Sequence, residues 1–189
     1  MNDKSPANKP PERLLLDRLP TPIGEAIVIT DEDGALRAFD WSDHEDRLRR
    51  LMRRHYGAVP MAAGPAPASM IRALEAYFAG EIDALAPIAW RIAGTPFQRS
   101  VWRALADIPV GVTVSYGELA SRIGKPTAVR AVGLANGANP IGVVIPCHRV
   151  IGANGSLTGY GGGLDRKRWL LIHEGAPFRE APPPRAMAA

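Results

Sequence analysis

The sequence predicts an α/β protein built in two parts, a small antiparallel sheet with helices followed by a mostly helical half. Three observations lead there. Short apolar runs near the start alternate with turn residues. Two capped helices joined by a glycine-containing turn occupy the middle of the second half. A β-branched stretch then runs into the only cysteine of 189 residues. A hydrophobic fraction of 46% suits one large or two small globular domains. One thiol permits no internal disulfide and none of the zinc sites that need several cysteines, so no metal and no cofactor is expected. The start, "MNDKSPANKPPE", has no apolar stretch fit for a signal peptide or membrane span, which points to the cytoplasm. A net charge of +4 and a pI near 9.6 permit a polyanionic partner without requiring one.

Residues 1–11 and 179–189 read as disordered tails, being rich in Pro and Ala. An N-terminal α/β domain is expected over 12–92. Its apolar runs at 14–16, 26–29 and 36–39 are punctuated by "PTPIG" and "DEDG", which predicts a three-stranded meander. "DHEDRLRRLMRRHYG" has helical spacing through Leu48, Leu51, Met52 and Tyr56, with Gly57 as its stop and arginines on a solvated face, contact with nucleic acid being the alternative. "GAVPMAAGPAPA" reads as a loop and "SMIRALEAYFAG" as a second helix.

The second domain is expected over 93–178. "TPFQ" offers Thr95 as cap, Pro96 in the first turn and Gln98 reaching back; "SYGE" repeats the device with Ser115 and Glu118. The helix opened at Ser115 stops near Gly124, and "KPT" turns the chain into "AVRAVGLANGA". This is a helix-turn-helix pattern, with a plain helical hairpin as the alternative. Arg99, Arg103, Arg122, Lys125 and Arg130 outnumber Asp107 and Glu118 there, which favours DNA as the partner. "IGVVI", rich in β-branched residues, reads as a buried strand ended by Pro146, placing Cys147 at a strand exit. Asp165 is the expected cap of a last helix, "DRKRWLLIHEG". Its basic first turn opposes the helix dipole, so those residues either serve another purpose or face solvent.

Cys147 is either a nucleophile or a small packed residue. A thiol is largely protonated at neutral pH, and an imidazole held by a carboxylate would raise the reactive fraction. His148 is the nearest imidazole, but neighbours in an extended chain point to opposite faces, so a bend or a bridging water is required. "GYGGG" lacks the trailing Lys-Ser/Thr of a phosphate loop and reads better as a close approach to a flat ligand.

"IPCHRV", preceded by "NP" and followed by "GYGGGLDRKRWLLIHEG", closely resembles the active-site region of the O6-alkylguanine-DNA alkyltransferases. The likeness extends through "GTPFQRSVWRALADIPVGVTVSYGELA" and "AVRAVGLANGANP". It implies a ribonuclease H-like N-terminal part and a C-terminal helix-turn-helix part with a short sheet carrying the active site. It also implies irreversible, single-turnover transfer of an alkyl group from O6 of guanine, and from O4 of thymine, to Cys147. By the same resemblance His148 is the base, acting through water, Glu174 its orienting carboxylate, and Tyr116 the donor to the departing guanine. Arg130 would fill the space of the flipped base, while Ser115, Ala128, Val129, Ala131 and Gly133 meet the minor groove. Asn139 would tie the helix-turn-helix to the pocket wall, and Val150, Tyr160, Gly161 and Gly162 would surround the purine. Gly161 and Gly142 stand where some relatives carry serine and proline. The implied partner is alkylated double-stranded DNA, bound by a monomer. A sequence-reading transcriptional regulator, a non-catalytic lesion sensor and a cysteine hydrolase are the rival readings.

Overall fold

The computed structural model describes residues 10–180. Three strands, β1 (Leu14–Thr21), β2 (Gly24–Asp31) and β3 (Leu36–Trp41), form the expected antiparallel meander. Helix α1 spans Glu45–Tyr56 after a 3-10 turn at Ser42–His44. The segment read as a loop supplies a short fourth strand, β4 (Met61–Ala63), parallel to β1, so the sheet order is β3-β2-β1-β4 rather than three strands. Its sequence, Met-Ala-Ala, carries no β-branched residue, and pairing to the exposed edge of β1 overrides that weak propensity. Helix α2 (Ala68–Phe78) follows.

Strand β2 explains how the two parts share a core. Its residues from Ala26 to Asp31 are all buried, because both faces are covered. Ile27 and Ile29 pack with Leu48, Met52 and Tyr56 of α1. Ala26 and Val28, on the opposite face, join a larger cluster with Leu74 and Tyr77 of α2 and with Val101, Trp102 and Leu105 from the second half.

The second half begins with α3 (Pro96–Ala106), opened by the full Thr95/Gln98 capping box. Strand β5 (Val114–Ser115) leads into α4 (Tyr116–Arg122), whose capping box joins Ser115 and Glu118. After a turn comes α5 (Val129–Gly137), then a 3-10 turn at Cys147–Arg149 and β6 (Val150–Ile151), parallel to β5. The last helix, α6 (Leu164–His173), is capped by Gly163 with φ 91°, not by Asp165, which lies in its first turn.

The stretch 141–145 is not a strand. Ile141 makes a single parallel bridge to Phe39 of β3, with Phe39 N donating to Pro140 O and Gly142 N to Phe39 O. The chain then coils tightly: Val143 has φ 64°, and Ile145 N donates to Ile141 O at 3.0 Å. A β-branched residue at positive φ costs about 1–3 kcal/mol, so packing and the anchor at Asn139 override the local preference. Leu36 in β3 also bridges to Trp90. The edge of β3 is thus covered by the chain from both halves, and this docking positions the cysteine turn. The expected tails lie largely outside the described residues. At their inner ends Pro11 is buried, and Arg179 bridges to Ser156.

Candidate active site and DNA-facing helix

Cys147 opens the 3-10 turn, 6% exposed, so the chain bends at the cysteine instead of running extended. Burial pushes its thiol pKa up, while a hydrogen bond from the Asn139 side chain and the charges of Arg47 and Lys167 pull it down; the net shift is upward. Asn139, just beyond α5, also donates to Ile145 O at 2.8 Å and accepts from Ile141 N at 3.1 Å. It fixes the coil that leads to the cysteine.

His148 is fully buried, and its Nε2 lies 3.1 Å from Glu174 Oε1. The carboxylate there sets Nε2 as the protonated nitrogen, which leaves Nδ1 as an acceptor. Burial lowers the imidazole pKa against the pull of Glu174, which favours the neutral ring. Glu174 is held by more than the histidine. Arg149 donates from Nε to Oε2 at 2.8 Å and from Nη2 to Oε1 at 2.9 Å, and Tyr77 Oη donates to Oε1 at 2.8 Å. Burial opposes the charge, but these partners hold the carboxyl well below its ordinary range.

Sequence reasoning missed both Tyr77 and Arg149 as parts of this network. Arg149 adjoins the cysteine motif and was visible as a charge in an apolar context. Tyr77 is 97 positions from Glu174 and carries no local signal. The odd basic turn of α6 resolves by residue. Lys167 is fully buried, donating to Val150 O at 2.6 Å and Thr158 O at 3.0 Å. Burial lowers its pKa to about 8. Arg166 stacks on Trp41 and reaches Ile23 O, while Arg168 pairs with Glu180 on the surface.

Cys147, Asn139, Tyr160, Gly161 and Gly162 line one cavity of about 20 Å³, together with Arg47 and Gly142. Val150 does not line it, being fully buried with its carbonyl held by Lys167. Gly162 is required by close approach: a Cβ there would lie 2.4 Å from Trp41 Nε1. Tyr116 stands apart from the cavity, its hydroxyl 3.1 Å from Thr158 Oγ1 and its ring against Gly133. Ser115 and Ala128 cap α4 and α5. Val129, Arg130 and Ala131 are exposed on α5, and Leu134 is 73% exposed. Arg130 has no ion-pair partner among the described residues. Among those residues no group of His, Cys, Asp and Glu could hold a metal ion, and no helix is long and apolar enough to cross a membrane.

Residues 96–176 match the family model for the 6-O-methylguanine DNA methyltransferase DNA-binding domain. The methylated-DNA–protein-cysteine methyltransferase of Salmonella typhimurium is 48% identical over 165 residues, spanning 86% of this chain and 96% of that protein. The chain belongs to the methylated-DNA–protein-cysteine methyltransferases. The family's namesake from Mycolicibacterium paratuberculosis is 62% identical over 107 residues, 57% of this chain and 64% of its own length. The crystal structure of Mycobacterium tuberculosis O6-methylguanine methyltransferase superposes with a TM-score of 0.72 at 40% identity, covering 90% of this chain and 96% of that one. That of Mycobacterium tuberculosis OGT in complex with DNA gives 0.71 at 41% identity, covering 87% and 95%. The mixed α/β architecture described above is the fold of these family members.

Proposed function

We propose that this protein repairs alkylated DNA by moving the alkyl group of O6-alkylguanine, and of O4-alkylthymine, onto Cys147. The observation that carries the assignment is simple: the family transfers methyl groups to a protein cysteine, and this sequence has one cysteine. Residues 93–178 carry the DNA-binding and transfer machinery, and residues 12–92 hold it in place.

In the proposed reaction the alkylated nucleotide leaves the stack and enters the pocket, at an unstacking cost of about a few kcal/mol. The exposed, small-residue face of α5 suits a narrow minor groove, and Arg130 is its one long unpaired cation, placed to fill the gap in the duplex. The thiol proton passes to His148 Nδ1 through water, with Glu174 stabilising the imidazolium that results. Sγ then attacks the alkyl carbon, the carbon–oxygen bond breaks, and guanine departs as Tyr116 donates a proton to it. The product is a thioether, with no nearby group able to cleave it, so each molecule acts once. The protein works as a monomer in the cytoplasm.

Incubation with a duplex containing O6-methylguanine, followed by peptide mass spectrometry, tests this reading. The Cys147 peptide should gain one methyl group, at no more than one per chain. Cys147→Ala should abolish transfer while keeping DNA affinity within a few-fold of wild type. A methyl group found elsewhere, or repeated turnover, would overturn the assignment.

A further inference from the structure

The pocket that contains the thiol is too small for the base it would receive. Its 20 Å³ exceeds the 10–15 Å³ or so that admits a single water, and a purine is many times larger. Something in the wall must move. Phe39 and Asn139 are buried, and the glycines offer only backbone. Two long wall residues are partly exposed; Tyr160 packs against the hydrophobic core, which leaves Arg47, whose side chain is 24% exposed.

Arg47 belongs to the first turn of α1, the arginine-rich helix whose sequence suits a solvated face or a nucleic-acid contact. Its Nη1 pairs with the buried Asp40, and its Nη2 donates to Gly137 O at 2.7 Å. Gly137 is the last residue of α5, where helix carbonyls lack intrahelical partners and attract a cation. The guanidinium lies flush against the pocket loop: a Cβ on Gly161 would stand 2.5 Å from Nη2 and 2.7 Å from Cζ. Gly161 therefore provides the space that Arg47 fills, and a side chain at 161 would compete for it.

We propose that Arg47 is the gate of the base pocket: folded inward it shields Cys147 and excludes free purines, and it withdraws when a base is delivered. Its hold on Gly137 ties the gate to the far end of the helix that faces DNA. The pocket is thereby selective for a base presented by a docked duplex over the same base in solution. That selectivity rests on the reading of Cys147 as alkyl acceptor, whereas the shielding does not.

Iodoacetamide labelling of the full chain, followed by intact mass, tests the gate without DNA. Arg47→Ala and Gly161→Ser should each raise the labelling rate of Cys147 about ten-fold. A purely electrostatic role for Arg47 predicts the opposite sign for Arg47→Ala, since its charge favours the thiolate and losing it would slow labelling. Wild-type or slower rates in both variants overturn the gate. Gly161→Ser removes no contact-forming side chain and meets only the end of a flexible one, so it carries the test should Arg47→Ala fail to fold. Free O6-benzylguanine should likewise react faster with both variants. Faster iodoacetamide labelling with no reaction toward that base would uphold the shielding and sink the acceptor reading instead.

Discussion

Glu174 shows how few of a site's supporting contacts can be read from motif positions. The cysteine, histidine and carboxylate were legible because they fall inside one recognisable run near the end of the chain. Tyr77 was not, since it comes from α2, and only folding brings its hydroxyl to Glu174 Oε1 at 2.8 Å. Lys167 was half legible: its position in a first turn was electrostatically wrong, but its purpose, bridging the carbonyls of Val150 and Thr158 from within, needed the fold. Tyr77→Phe removes one donor from a buried carboxylate and should cost about 1–2 kcal/mol in a denaturant titration. It should also slow alkyl transfer by several-fold and shift the pH profile of the transfer rate, because Glu174 would orient and charge-match His148 less firmly. A rate and profile unchanged from wild type would confine Tyr77 to packing.

Elements with their own start and stop signals were read from sequence, and elements made by pairing were not. Both capping boxes, at Thr95 and Ser115, form as their spacing dictates. Ser115→Ala should lower stability by about 1 kcal/mol, measured as a shifted melting temperature, through the unsatisfied amide of Glu118. The same change should weaken DNA binding more than its stability cost implies, since α4 sets the position of Tyr116, which we propose to lie at the DNA. By contrast β4 exists only because β1 offers it an edge, and nothing in Met-Ala-Ala announces it. The stretch 141–145 failed in the other direction. Its β-branched residues promise a strand, yet one bridge to Phe39 and the Asn139 clamp turn it into a coil. Long-range partners decided both cases.

At the scale of the whole molecule, the two halves share one core and one ionic network, with β2 buried on both faces and Tyr77 reaching across to Glu174. This coupling makes stability depend on acid. The Glu174 carboxyl is depressed in the folded protein from its ordinary 4.5. Its contribution is fully present above that value and is lost as pH falls through and below it, because the unfolded chain takes up the proton first. Wild type should therefore lose stability steeply below pH 4.5 or so, and Glu174→Gln should flatten that limb while being less stable at pH 7. An acid limb unchanged by the substitution would show that Glu174 does not govern it.

Trp41 lies with its indole nitrogen against Gly162 and its ring beneath the Arg166 guanidinium, 4.7 Å from the centroid. An indole so confined emits according to the charge and water beside it. Replacing the other tryptophans (Trp90, Trp102 and Trp169) by phenylalanine would leave a single chromophore touching the glycine loop. Its fluorescence would then follow nucleotide entry and the lasting change at sulfur in real time, giving the spent molecule an optical mark that distinguishes it from a fresh one.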